Sequence, residues 1–94
     1  MAWAYILECS DGSYYTGSTI DLDQRLETHR LGIGAKYTAS RLPVELVWCQ
    51  EFERIDEAFG WEKRLQGWSR AKKERVISGR VDELPGWSRR TRGR

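Results

Sequence analysis

A chain of 94 residues, 39% hydrophobic and 12% aromatic, has room for one small domain with one core, which excludes a disordered chain and a multidomain assembly. Its net charge of +2 conceals an asymmetry: residues 1–62 carry 5 Lys/Arg against 11 Asp/Glu, a balance of −6, and residues 63–94 carry 11 against 3, a balance of +8. Two cysteines without CxxC spacing and a single histidine exclude a zinc set and a disulfide scaffold, and no apolar run reaches the roughly 18 residues of a membrane span.

The elements follow from local chemistry. Residues Trp3 to Cys9 are rich in β-favouring side chains and too short for a typical helix. Their alternation sets Trp3, Tyr5 and Leu7 on one face and Ala4 and Ile6 on the other, which predicts a strand covered on both sides. Asp11-Gly12 supplies the turn, and Tyr14 to Gly17 form the return strand. Asp21, with Gln24 three residues on, caps a helix over Leu22–Leu31. On that helix Arg25 and His29 stand one turn apart and can reach a common point. Ala35 to Leu42 reads as a loop holding Lys36, Tyr37, Thr38 and Arg41.

Beyond Pro43, Val44–Phe52 is a third strand, with Val44, Leu46, Trp48 and Phe52 turned to one side. Asp56 caps a second helix over about Glu57–Gly67, whose apolar stripe is Ala58, Trp61, Leu65 and Trp68. Glu62 falls on or beside that stripe, where a carboxylate needs a partner. Ser69 caps a third helix that runs through Ile77 and stops at Gly79. The fold expected is α+β: a small, mainly antiparallel three-stranded sheet flanked by about three helices. Residues 1–80 make the domain, and residues 81–94 a basic, flexible tail. Cys9 and Cys49 are expected as buried free thiols. With no leader visible, the expected setting is the cytoplasm, as a soluble monomer without membrane association.

Taken in order, Tyr5, Tyr15, Gly17, Arg25, His29 and a helical Glu62 form a set that resembles the GIY-YIG nuclease superfamily. The two triplets here read Trp3-Ala4-Tyr5 and Tyr15-Thr16-Gly17. Gly34-Ala35-Lys36-Tyr37-Thr38 and Trp68-Ser69-Arg70-Ala71-Lys72-Lys73 resemble its short stand-alone bacterial members in particular. The match covers roughly residues 2–78. The departures are Trp3 and Ala4 for Gly and Ile, Thr16 for Ile, and a chain with no asparagine, so a late Asn of some branches has no counterpart. Taken singly, each site residue has a structural explanation: a strand tyrosine at the core's rim, a paired arginine, a helix-end histidine, a salt-bridged glutamate. The ordered set carries the assignment.

The resemblance implies a divalent-metal-dependent endonuclease acting on DNA, or on RNA. It implies Glu62 as the one carboxylate ligand of Mg²⁺ or Mn²⁺, with water and phosphate oxygens completing the shell. Tyr5 or Tyr15 takes the proton of the attacking water, with nearby cations such as the metal, Arg25 or Lys36 favouring phenolate. Arg25 holds the scissile phosphate, His29 orients a tyrosine or shuttles its proton, and Gly17 lets backbone and phosphate approach. Lys36, Tyr37, Arg70, Lys72 and Lys73 contact nucleic acid, the basic helix and tail touching backbone phosphates without sequence selectivity. Exposed tryptophans can stack on unpaired bases. A structure-selective activity is therefore expected, with DNA repair as its setting. Two rival readings use the same fold: a non-cutting nucleic-acid-binding module, and an interaction domain recruited to a repair complex by its basic tail.

Overall fold

A computed structural model of the protein describes residues 1–79, as β1 (Ala2–Glu8), β2 (Tyr14–Thr19), α1 (Leu22–Arg30), α2 (Lys36–Ala39), β3 (Glu45–Phe52), α3 (Ile55–Gln66) and α4 (Arg70–Ile77). The three strands form one wholly antiparallel sheet in the order β2-β1-β3. The central place of β1 is what its two apolar faces predict. The hairpin closes at Gly12, whose φ of 84° needs a residue without Cβ, and the Asp11 carboxylate accepts from the Ser13 N–H at 3.0 Å.

One face of β1 offers Ala2, Ala4 and Ile6, which are fully buried with Trp48, Phe52, Ala58, Leu65 and Val76 in the hydrophobic core. Helix α3 lies across all three strands, and α4 packs beside it on β3. The stripe expected on α3 is present: Ala58 and Leu65 are buried, and Trp61 meets Trp68 edge-on at 6.1 Å. Cap chemistry also follows the sequence, with Asp21 accepting from the Gln24 N–H at 3.1 Å and Ser69 from the Lys72 N–H at 3.2 Å.

Three expectations need correction. The segment from Ala35 to Leu42 is not all loop, because Lys36–Ala39 winds into one helical turn. Helix α3 begins at Ile55, and Asp56 does not cap it: the carboxylate pairs instead with the Arg54 guanidinium at 2.8 Å. The four apolar side chains of the third strand do not share one side. A bulge shifts the register so that Trp48 lies opposite Ile6 but Leu46 lies opposite Leu7, on the other face. The basic tail over 81–94 lies outside the described residues. Among the described residues no helix is long and apolar enough to cross a membrane. Cys9 and Cys49 are both free thiols, Cys9 buried and Cys49 half-buried.

Candidate active site

The hairpin register places Tyr5 opposite Gly17 and Leu7 opposite Tyr15, all on the face turned away from the core. Tyr5 lies across Gly17 so closely that a Cβ there would sit 2.6 Å from the phenol Cζ. The space that Gly17 was expected to leave for phosphate is thus filled by the Tyr5 ring. Glycine at this position lets a large aromatic residue lie flat against its partner strand.

Helix α1 brings His29 onto the same face, with no exposed surface. Its Nε2 lies 3.0 Å from the Tyr5 hydroxyl, and its Nδ1 lies 3.0 Å from Thr38 Oγ1 on α2. Thr38 Oγ1 is in turn 3.2 Å from the Ala35 carbonyl oxygen, placed to donate to it. Both phenol rings meet the imidazole edge-on, Tyr5 at 5.9 Å and Tyr15 at 5.3 Å between centroids. Tyr15 also stacks on Tyr37 at 6.0 Å, and the Arg41 guanidinium covers that ring at 3.9 Å. Arg41 is pinned by Asp11 at 3.0 Å, so the stack has a fixed end.

Arg25, one turn before His29, is half-buried and has no salt-bridged carboxylate among the described residues. A groove of about 290 Å³ opens beside it, bordered by Thr19, Gln24, Thr28, Ile33 and Gly34. Glu62 comes from α3, on the far side of the sheet, and meets the edge strand β2. Its Oε1 accepts from the Ser18 hydroxyl at 2.6 Å and its Oε2 from Gln66 Nε2 at 3.0 Å. These two donors are the partners that its position beside an apolar stripe demanded.

Burial is the first cause of the site's electrostatics. It pushes the Tyr5 phenol well above its ordinary value, helped by Tyr15 and Glu62 and opposed by Arg25. Tyr15 is raised by burial and then by Glu62, again against Arg25. His29 is lowered by burial and by the Arg25 charge, which keeps the imidazole neutral at neutral pH. Within the protein alone, desolvation outweighs the Arg25 guanidinium and pushes both phenols up, away from phenolate.

Tyr5, Tyr15, Gly17 and His29 are thus brought into direct contact, Tyr37 joins them through Tyr15, and Arg25 and Glu62 act on both phenols. Lys36 starts α2 beside Tyr37 and is exposed. The basic residues of α4 stand apart. Arg70 donates to the Gly12 carbonyl at 2.8 Å, pairs with Glu74 at 3.0 Å and covers the Tyr14 ring, while Lys72 covers Trp68. Lys73 follows Lys72 on the same helix, half-buried. Four residues escaped the sequence reading as site parts: Thr38, Ser18, Gln66 and Gly34. A Cβ on Gly34 would lie 2.7 Å from His29 Nδ1, so this glycine makes room for the imidazole. Only Thr38 and Gly34 left a signal, as members of the Gly34–Thr38 motif.

The donor set suits a hard cation that keeps much of its own water. Among the described residues no three His, Cys, Asp or Glu side chains cluster as a metal cage. Glu62 offers a half-buried carboxylate in which each oxygen accepts one neutral hydrogen bond and retains a further lone pair. One carboxylate without thiolate or imidazole neighbours fits Mg²⁺ or Mn²⁺, not a tetrahedral zinc site.

A three-stranded α+β unit with paired tyrosines, an Arg/His helix and a distant glutamate defines a class, and the GIY-YIG catalytic domain matches residues 1–75. The chain belongs to the GIY-YIG family, a nuclease superfamily whose members generally use a divalent metal. Within it, the similar proteins are of the UPF0213 type. UPF0213 protein BH0048 of Halalkalibacterium halodurans is 49% identical over 76 residues, 81% of each chain. A UPF0213 protein of Halobacterium salinarum is 47% identical over 82% of this chain and its own whole length. The solution NMR structure of UPF0213 protein BH0048 from Bacillus halodurans superposes with a TM-score of 0.54 at 48% identity, covering 83% of this chain and 84% of that one. That of EF2693 from E. faecalis gives 0.55 at 38% identity, covering 81% of each.

Proposed function

We propose that this chain is an endonuclease that hydrolyses phosphodiester bonds in DNA, or alternatively in RNA, with one Mg²⁺ or Mn²⁺ held at Glu62. The observation that supports this best is the meeting of Tyr5, Tyr15 and His29 in one buried contact, with Arg25 and Glu62 near enough to shift both phenols. When bound, the cation would supply Lewis-acid polarisation of the phosphate. Arg25, with no salt-bridged carboxylate among the described residues, binds the scissile phosphate and offsets the charge that grows on it in the transition state. A tyrosine hydroxyl receives the proton of the attacking water, and His29 orients that hydroxyl or takes its proton. The groove beside Arg25 admits the chain flanking the scissile bond.

The described fold has no separate element to enter a DNA groove and read bases. We therefore infer selection by structure, of a flap, a branch or a single strand, with Lys36 and Tyr37 at the site. Lys72, Lys73, the free edge of Arg70 and the tail touch backbone phosphates further off. A monomer in the reducing cytoplasm, acting in DNA repair, completes the reading.

The test is incubation of branched and single-stranded DNA with Mg²⁺ or Mn²⁺, comparing the wild type with Glu62→Ala. Metal-dependent cutting that the substitution abolishes supports the enzyme. Salt-sensitive binding without cutting by either protein replaces it with a binding module, and no binding at all leaves a protein-interaction domain.

A further inference from the structure

We propose that Thr38 is a positioning residue that locks His29 in the tautomer with the proton on Nδ1, so that Tyr5 is the hydroxyl that passes a proton to His29. Thr38 has one hydroxyl hydrogen and two neighbours, the Ala35 carbonyl at 3.2 Å and His29 Nδ1 at 3.0 Å. A carbonyl can only accept, so with the hydroxyl donating there, Nδ1 must bring the hydrogen to the second contact. A neutral imidazole has a single N–H, which leaves Nε2 bare, and the Tyr5 hydroxyl 3.0 Å away donates to it.

The opposite tautomer satisfies less. Thr38 would then donate to Nδ1 and give up the Ala35 carbonyl, while Nε2–H would donate to the Tyr5 oxygen. Three hydrogen bonds become two. The hydrogen of a phenol that is 2% exposed would also lose the acceptor it has, His29 Nε2. Gly34 belongs to the same device, since its missing Cβ lets α2 bring Thr38 against the ring.

The consequence deepens the hydrolytic reading and rests on it; the tautomer does not. With its hydrogen committed to Nε2, the Tyr5 oxygen has lone pairs free for the attacking water. As the water oxygen forms its bond to phosphorus, one water proton goes to Tyr5 and the original phenol proton goes to Nε2. His29 becomes an imidazolium whose Nδ1–H stays on Thr38. The P–O bond to the leaving alkoxide breaks with its electron pair, and that alkoxide takes a proton from bulk water while the imidazolium releases one. Tyr5 starts and ends as a neutral phenol, in keeping with its burial.

His29 is the only histidine of the chain, so its ring nitrogens can be read without ambiguity in the whole protein. Long-range ¹H–¹⁵N correlation at neutral pH should show Nδ1 protonated and Nε2 bare. Thr38→Val, nearly isosteric, should move the equilibrium toward the Nε2–H form, and Thr38→Ser should restore it. In cleavage of branched DNA, Thr38→Val should lower kcat by about 10- to 100-fold with KM little changed, with Thr38→Ser close to wild type. A protonated Nε2 in the wild type overturns the proposal whatever the protein does to DNA, and so does a spectrum unmoved by Thr38→Val. If the valine variant does not fold, the wild-type spectrum still decides. A wild type with the proposed tautomer that never cuts DNA would refute the nuclease reading and leave the lock standing.

Discussion

The two faces of β1 are buried to nearly the same degree and held in different ways. On the core face Ala2, Ala4 and Ile6 meet Ala58, Leu65 and Val76, all at or near zero exposure and with no side-chain polar atom to satisfy. Small residues let α3 approach, and burial there is non-directional. On the opposite face Tyr5 and His29 are as deeply covered, but each carries a polar atom that stays buried only because a partner stands about 3 Å away. One strand thus supplies stability on one side and fixed geometry on the other. Substitutions on the first should change how much protein is folded, and those on the second what the folded protein does.

The largest separation is expected at Glu62. Glu62→Ala should reduce metal-dependent cleavage on the order of a thousandfold, about 4 kcal/mol of transition-state stabilisation, with a melting temperature near wild type. A melting temperature that collapses with activity would make Glu62 a structural residue. Arg25→Ala should cost about 100- to 1000-fold in kcat while leaving DNA affinity within a few fold, measured by single-turnover cleavage beside equilibrium binding. Parallel losses in both would reduce Arg25 to a ground-state phosphate contact.

From the core face, Ile6→Val should lower stability by about 0.5–1.5 kcal/mol in urea unfolding and leave kcat of the folded protein unchanged. A change in kcat would show that the two faces are mechanically coupled. The smallest effect is that of pH. The imidazole of His29 is held below its ordinary value by burial and Arg25, so the unfolded chain binds a proton that the folded chain releases. Its neutral-form contribution is complete above the unfolded value of about 6.5 and drains away as pH falls through the lower folded value. Thermal melts between pH 8 and 5 should therefore show a decline beginning below about 6.5 that His29→Gln flattens and Ile6→Val leaves in place. An unchanged slope in His29→Gln would mean that the histidine ionises freely.

Much of the site was legible because its members sit in short-range patterns. Arg25 and His29 share a helix face by their spacing, and Tyr5 and Tyr15 share a sheet face because a tight Asp-Gly turn sets their register. What joins them was not legible. The Thr38–His29 bond spans 9 residues, the Tyr5–His29 bond 24 and the Ser18–Glu62 bond 44. No periodicity relates such positions. Arg70 shows the reverse case: in sequence it belongs to a basic helix open to nucleic acid, and in the fold it fastens α4 to the Gly12 turn.

By itself, then, the sequence determined where the strands turn and which helices Asp21 and Ser69 cap, and it singled out the side chains proposed to carry the chemistry. Backbone preference and side-chain alternation act within a few residues. The tertiary structure alone decided that Leu46 leaves its neighbours at a bulge, that Lys36–Ala39 winds into a helical turn, and that Glu62 reaches β2 from the far face of the sheet. It also decided the direction in which burial pushes the phenols, since desolvation is a property of what surrounds a group. Tyr5 is the clearest example: its place on the strand is local, and its contact with His29 and its burial come only from the fold.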